Sequence, residues 1–284
     1  MKILQINKFY FMQGGAERYL LDVSAWLTGQ GHEVIPFAMQ HPDNLETPYE
    51  KAFPSFVHTS QVKADWQGVR TLARMAYSLE GRRKLATLIA ETAPQVAHIH
   101  NIYTQLSPSL LDTLRDSHVP VVMTVHDHHL ISPQYNIWAA GCGEDYRDAG
   151  VVRGTLSRFH KHSLFASFAQ TAVYRFHRWL KIYERGVDLF LCPSQYMKRQ
   201  LVRGGFPEEK IRVNHFGIDE RLFAPRFEPE DYFFYAGRLS EEKGVETLIR
   251  AARIIGDVKI KIAGRGPEME RLHRLACDVP GVEF

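Results

Sequence analysis

The sequence predicts an α/β protein made of two doubly wound, parallel-sheet domains. Three observations carry this expectation. Short apolar runs of strand length alternate with segments of helical periodicity along the whole chain, which implies parallel strands joined by right-handed crossovers. The alternation starts afresh after Pro225 and the polar stretch FEPED. A length of 284 residues, 45% apolar and 24% charged, suits two globular domains rather than a disordered or fibrous chain. The domains are accordingly read as 1–225 and 226–284.

KILQIN (2–7) is the first strand. A loop with Gly14-Gly15 follows, then a helix marked by Tyr19, Leu20, Val23 and Leu27 and closed by Gly29 and Gly31. EVIPFAM (33–39) is the second strand, 62–92 is mainly helical and basic, and VAHIH (96–100) is a strand again. PSLLDTLRDS reads as a helix leading to the buried strand VPVVMTVH (119–126). VDLFLCPS (187–194) is a further strand, and Ser194 stands where its hydroxyl can cap the helix QYMKRQLV. KIRVNHFG adds one more strand. In the second domain YFFYA, a helix over 245–255, KIKIAG (259–264) and a helix from about Pro267 give two strand–helix units. VEF (282–284) begins a third strand. An open parallel sheet usually has about five or six strands, so the second domain is expected to be incomplete at Phe284.

Several classes are excluded. A net charge of +3 gives no argument for nucleic acid. Cys142, Cys192 and Cys277 lie far apart without paired spacing, so neither a zinc site nor a disulfide framework is expected, and a reduced, cytoplasmic setting is the simplest reading. Lys2 leads at once into a strand, which leaves no signal peptide. No apolar run approaches the roughly 18–20 residues that span a bilayer. Residues 153–185 are basic and aromatic, with seven Lys or Arg, three His and Glu184 as the one acid. They suit an anionic membrane surface or a core-covering helix with outward cations, with nucleic acid as a third reading.

In open α/β sheets, ligands sit at the carboxyl ends of the strands, near helix N-termini. Gly14-Gly15 lies there and could admit an anion to the helix N-terminus, or be a plain tight turn. It lacks the G-x-G-x-x-G spacing of nicotinamide enzymes. His126 ends a strand written almost wholly in apolar residues and is followed by Asp127, His128 and His129. That cluster suits sugar hydroxyls or charge stabilisation, or a histidine that merely caps a loop. A metal site is not expected, because successive residues of a turn point different ways. Arg238 and Lys243, five residues apart between Gly237 and Gly244, could converge on a diphosphate, or pair with Glu241 and Glu242 in a solvated loop. Arg265-Gly266-Pro267 occupies the equivalent edge of the next strand.

Taken in order, ILQINKFYFMQGGAERYLLDVSAWLTGQGHEV, TVHD, VDLFLCPSQYMKRQL, KIRVNHFGIDERLFAP, YAGRLSEEKGVETLIRAA and IAGRGP resemble glycosyltransferase family 4 (group 1), the retaining nucleotide-sugar transferases of GT-B fold. The resemblance runs over essentially the whole chain. It implies two Rossmann-like domains facing across a cleft, the first receiving the acceptor and the second holding the donor. It places Gly15, with Gly14 beside it, against the donor diphosphate and sugar, and His126 against that sugar near the reacting centre. Arg238 and Lys243 would bind the diphosphate, and Arg265, Gly266 and Pro267 would lie near the nucleobase. No divalent metal or other cofactor is implied, and no protein nucleophile. The partners implied are a nucleotide-sugar donor and a saccharide or lipid-linked acceptor, with the protein peripheral on the inner face of the plasma membrane.

Two departures stand out. The family's E-x7-E motif, which grips the donor, lies later in the second domain than this sequence reaches, so this length of chain is expected to be nearly inactive with an exposed sheet edge. Where Asn-Gly is usual, His215-Phe216-Gly217 stands, with no evident consequence. Two other readings are a non-catalytic piece that binds acceptor, membrane or a partner chain, and a nucleotide-sugar epimerase of the same fold.

Overall fold

The computed structural model describes residues 1–57, 66–135, 137, 150–160, 163–223 and 226–284. These fall into two compact units, one from Met1 to Gly217 and the other from Ile218 to Phe284. Pro225 and Cys142 lie outside the described residues.

In the first unit β1 (Lys2–Ile6), β2 (Glu33–Phe37), β3 (Val96–Ile99), β4 (Val121–Thr124), β5 (Leu189–Cys192) and β6 (Ile211–Val213) form one sheet. Its order is β2-β1-β3-β4-β5-β6, and every neighbouring pair is parallel. The crossovers are α1 (Gly15–Gly29), α2 (Trp66–Ala76), α3 (Leu79–Thr92), α4 (Leu110–Asp116), α5 (Val151–Leu156), α6 (Leu164–Leu180), α7 (Ile182–Gly186) and α8 (Gln195–Arg203). The expected alternation is therefore present. Serine caps start three of these helices: the hydroxyls of Ser78, Ser163 and Ser194 accept N–H bonds from Gly81, Ala166 and Met197. KIRVNHFG pairs only over its first residues. Asn214 N–H still bonds the Cys192 carbonyl, but His215 Nδ1 turns to the Pro193 carbonyl at 2.8 Å, and the chain leaves the sheet.

The two faces of this sheet differ in chemistry. Leu4, Ile6, Ala97, Ile99, Val121, Met123 and Val125 alternate with their neighbours and belong to one continuous core with Leu85, Leu88, Leu110 and Leu114 of α3 and α4. Each buried Leu, Ile, Val or Met among these contributes about 1.5–3 kcal/mol. The opposite face carries Gln5, His98, His100 and Thr124 toward its carboxyl end. Gln5 and His98 are register partners, and His98 Nε2 lies 2.7 Å from Thr124 Oγ1. Side chains two apart on a strand share a face, so this polar row follows from the H-x-H alternation in VAHIH.

The second unit holds β7 (Phe233–Ala236), α9 (Val245–Ile255), β8 (Ile260–Ala263), α10 (Met269–Ala276) and β9 (Val282–Glu283). Its sheet is parallel in the order β7-β8-β9. Leu239, Val245, Ile249, Ala252, Ile260, Ile262 and Leu272 make its core, while Phe233 and Phe234 on β7 are 67% and 64% exposed.

The loops after β7 and β8 are laced together by backbone. Gly237 N–H bonds the Ala263 carbonyl, Leu239 N–H the Arg265 carbonyl, and Glu268 N–H the Leu239 carbonyl, each at 3.0 Å. This closeness demands glycine: a Cβ on Gly264 would lie 1.9 Å from the Gly237 oxygen, and one on Gly266 would lie 2.1 Å from the Leu239 oxygen. Gly266→Ala is expected to destabilise the second unit by about 1–3 kcal/mol, the usual cost of overpacking. Its denaturant midpoint reports this, and an unchanged midpoint would refute the close approach.

Candidate active site

The order of the first sheet reverses between β1 and β3, and a crevice opens at the carboxyl ends of the strands where such a reversal occurs. The residues there are tied to one another. Asn7, next after β1, donates from Nδ2 to the Phe9 carbonyl at 2.8 Å and to Glu17 Oε1 at 3.3 Å, and its Oδ1 accepts the Asn101 N–H at 3.1 Å. Glu17 is buried in the first turn of α1. Asn101 Oδ1 is enclosed and has no hydrogen-bond partner among the described residues.

Gly14 is the N-cap of α1 and supplies no side-chain cap, so the first-turn amides have no side-chain acceptor. A Cβ on Gly14 would touch Glu17 Oε2 at 3.4 Å, whereas one on Gly15 would meet nothing within 4 Å. Gly15 also lacks a positive φ. Packing therefore gives no reason for glycine at 15. Its missing side chain leaves room beside the positive end of a 15-residue helix.

His126 follows β4 within an aromatic enclosure. Tyr19 of α1 meets it edge-on at 5.6 Å, and the Phe216 ring lies 5.3 Å away at 31°. Tyr19 and Phe216 are 4.5 Å apart, and Asn214 Nδ2 reaches the Tyr19 hydroxyl at 3.4 Å. The substitution at 216 thus does have a consequence, contrary to the sequence-based expectation: it lays a ring over His126. Burial, reinforced by His98 and Lys8, pushes His126 down to about 4, and burial pushes His98 down to about 4. Fully buried His100, beside His98 and His126, is held well below the ordinary histidine range. All three rings are neutral at pH 7. Asp127 does not join them. Its Oδ1 accepts the His129 N–H at 2.9 Å, and burial pushes its carboxyl up to about 6. His129 instead turns toward Gln170. Among the described residues no group of three His, Cys, Asp or Glu is arranged to hold a metal ion.

In the second unit Arg238 and Lys243 are exposed, and among the described residues neither side chain has an ion pair or hydrogen bond. The surface pairs to Glu241 and Glu242 are not formed. By contrast, Arg250 pairs with Glu246, and Arg271 pairs with both Glu246 and Glu268. Arg238 and Lys243, the two picked out by the sequence, are thus free, as are Arg265 and Arg274 among the described residues. Gly244, at φ +66°, turns the chain directly into α9, whose N-terminus again has no side-chain cap. Beside it opens a hollow lined by Ser240, Thr247 and Glu268, in which the buried Ser240 hydroxyl has no partner. Arg265, Gly266 and Pro267 lie one strand over, bound to the Arg238 loop through the Leu239 backbone.

The described residues of the basic segment fall in α5, α6 and α7 and the turns beside them. Arg178 is not outward: it pairs with Glu184 at 2.6 Å and lies over the Phe206 ring. Val152, Leu156, Phe168 and Trp179 are exposed, Trp179 by 77%. No helix among the described residues is long and apolar enough to cross a membrane.

Sequence reasoning missed Gln5, His100, Tyr19 and Phe216. The signal for His100 was present, as two histidines at strand spacing next to an Asn. Phe216 had no local signal, because it meets His126 from 90 residues further along the chain.

Two parallel-sheet α/β units with polar loops at their strand ends define the GT-B class. Solved structures of that class cover essentially the whole chain. Anabaena Alr3699/HepE, solved with UDP, is 16% identical with a TM-score of 0.54, covering 100% of this chain and 68% of that one. The lipopolysaccharide outer core galactosyltransferase WaaB is 16% identical with a TM-score of 0.55, covering 99% and 67%. The Glycosyltransferase Family 4 profile matches residues 13–222, and that of Glycosyl transferases group 1 matches 219–279. The chain belongs to glycosyltransferase family 4. WcaL of Escherichia coli (strain K12), whose name places it in colanic acid biosynthesis as a glycosyltransferase, is 30% identical over 138 residues. The WcaL of Salmonella typhimurium is 30% identical over 139. Each match covers 45% of this chain and 33% of the relative, so the chain spans about a third of the length of these curated relatives.

The neutral histidines make stability depend on pH. His98, His126 and His177 are held near 4 and His129 near 3, in each case chiefly by burial, against 6.5 when unburied. The unfolded chain binds their protons first. Their stabilisation is therefore complete above pH 6.5 and is lost as pH falls toward 4, by up to about 1.4 kcal/mol per pH unit per histidine. Asp127, raised from 3.8 to about 6, opposes this between those values and offsets about one histidine. Urea midpoints of the first unit are expected to fall steadily from pH 7 to 5, and a flat profile would exclude neutral buried rings.

Proposed function

We propose that the protein transfers a sugar from a nucleoside-diphosphate sugar to a saccharide or lipid-linked acceptor, with retention of anomeric configuration. The observation that carries this reading is the unpaired state of Arg238 and Lys243 at a strand-end loop in a family 4 chain, while Arg250 and Arg271 beside them are neutralised. Two free cations, an uncapped helix N-terminus and an unsatisfied Ser240 hydroxyl together suit a diphosphate. Arg265, Gly266 and Pro267 would take the nucleobase on the adjacent loop. In the first unit, the room left by Gly14 and Gly15 would take donor phosphate or sugar, and His126 would meet the transferred sugar.

Chemically, the bond from the anomeric carbon to the diphosphate breaks and one to an acceptor oxygen forms. The acceptor proton passes to the departing phosphate. Negative charge grows on that phosphate, and Arg238 and Lys243 are the groups that would stabilise it. No protein nucleophile, metal or other cofactor takes part in this scheme.

UDP-glucose is a suitable probe, since Anabaena HepE has been solved with it. Arg238→Ala and Lys243→Ala are each expected to cost about 1.5–3 kcal/mol of UDP-glucose affinity by calorimetry, the range for charged hydrogen bonds. Gly15→Ala should weaken the same binding while stabilising the fold by about 0.4–1 kcal/mol, because its backbone accepts alanine. Unchanged affinity in all three variants would remove the assignment. Binding without any transfer would favour a non-catalytic role.

A second reading concerns α5 and α6, whose exposed Val152, Leu156, Phe168 and Trp179 accompany exposed Arg153, Arg158 and Lys181. Such a surface suits peripheral attachment to an anionic, cytoplasm-facing membrane. Sedimentation with phosphatidylglycerol vesicles is expected to carry the protein down, and Trp179→Ser to reduce this. Equal sedimentation with neutral vesicles would count against it.

A further inference from the structure

The histidines at the strand ends are linked in a definite direction. His100 is fully buried, with Nε2 3.0 Å from Gln5 Oε1 and Nδ1 2.9 Å from His126 Nε2. A carbonyl oxygen only accepts, so the Gln5 contact requires the His100 proton on Nε2. A neutral His100 then has a bare Nδ1, which can only accept. His126 must donate to it from Nε2, so a neutral His126 has its own Nδ1 bare. That Nδ1 has no partner among the described residues and is not among the enclosed unsatisfied atoms, so it opens to solvent.

We infer that His100, oriented by Gln5, is a positioning residue that locks His126 in the Nε2–H tautomer and presents its Nδ1 as a hydrogen-bond acceptor for a sugar hydroxyl. The part concerning the sugar rests on the reading of His126 given above, while the relay itself does not. Protons enter and leave no bond here: His100 selects which nitrogen of His126 is free. The ring contacts support the same orientation. Tyr19 and Phe216 flank His126 within 5.6 Å, and the His100 and His126 ring centroids are 5.2 Å apart, so His126 has little freedom to turn over.

Nitrogen-15 NMR of the full chain at pH 7.5 tests this directly, because the two nitrogens of a neutral imidazole differ according to which carries hydrogen. The expected result is a pyridine-type Nδ1 and a pyrrole-type Nε2 for His126. His100→Phe keeps a ring but removes both nitrogens, and should give a mixture of tautomers. Sugar transfer should then fall at least about tenfold in kcat/KM, since the wrong tautomer leaves the sugar hydroxyl without its acceptor. His100→Asn, whose amide oxygen can stand where Nδ1 stood, should restore both readouts. Gln5→Leu, which removes only the anchor, should also mix the tautomers and serves if His100→Phe does not fold. A His126 proton found on Nδ1, or a pure Nε2–H form that survives both His100→Phe and Gln5→Leu, would overturn the inference. If His126→Ala transfers sugar normally, the sugar contact fails while the NMR result still judges the relay.

Discussion

The parallel pairing of β1 with β3 is the constraint on which the first unit depends. β1 has β2 on its other side, so the chain moves one way across the sheet through α1 and then reverses. With right-handed crossovers throughout, that reversal puts α1 on one face and the following helices on the other. α3 and α4 take the apolar face with its continuous core. α1 covers the face with Gln5, His98, His100 and Thr124, and brings Tyr19 down on them. One strand order thus decides both where the core forms and where polar side chains meet a helix N-terminus. Burying so many polar groups costs free energy unless each finds a partner. His98, His100 and Asn7 do find partners; of the exceptions, Gln5 Nε2 lies in that row and Asn101 Oδ1 just beyond His100.

Glycine does opposite things in the two units. Gly264 and Gly266 are required by neighbouring backbone, which passes within 2.1 Å of where their Cβ atoms would be. They lock two loops into one body and so hold the Arg238 loop at a fixed distance from Arg265. Gly15 is required by nothing in the fold. Glycine where the protein has no use for it points to a space kept for something else, beside amides that have no side-chain acceptor.

Much of this was legible in the sequence. Period-two apolar runs set the strands, and Ser194 at a cap position started its helix as expected. The strand-end rule picked out Gly14, Gly15, His126, Arg238, Lys243 and Arg265 before any geometry was available. What stayed illegible depended on contacts distant in sequence. Nothing around Glu246 announces that it neutralises both Arg250 and Arg271, yet that pairing sets these two apart from the unpaired Arg238 and Lys243. Phe216 looked like an inconsequential departure because its partners, Tyr19 and His126, are reached only after β6 ends and the chain turns back over the sheet. His98 and His100 were visible as letters but not as a row, since the row exists only once Gln5 and Thr124 are set in register beside them.

Fold alone does not choose the reaction. A UDP-GlcNAc 2-epimerase from Methanocaldococcus jannaschii shares the architecture at a TM-score of 0.51 and 10% identity, so the choice lies with side chains. An acid–base reaction at carbon needs groups poised to exchange protons near neutral pH. His126 is poorly suited to that task. Burial pushes its pKa down to about 4, and its Nε2 is engaged by His100. Such a ring would hold a hydroxyl in place by accepting from it and would stay uncharged while it does so. In the proposed transfer, charge would develop instead on the departing diphosphate, which suits the unpaired Arg238 and Lys243. A neutral histidine and separate unpaired cations would divide the work in a way that favours the proposed sugar transfer over epimerisation.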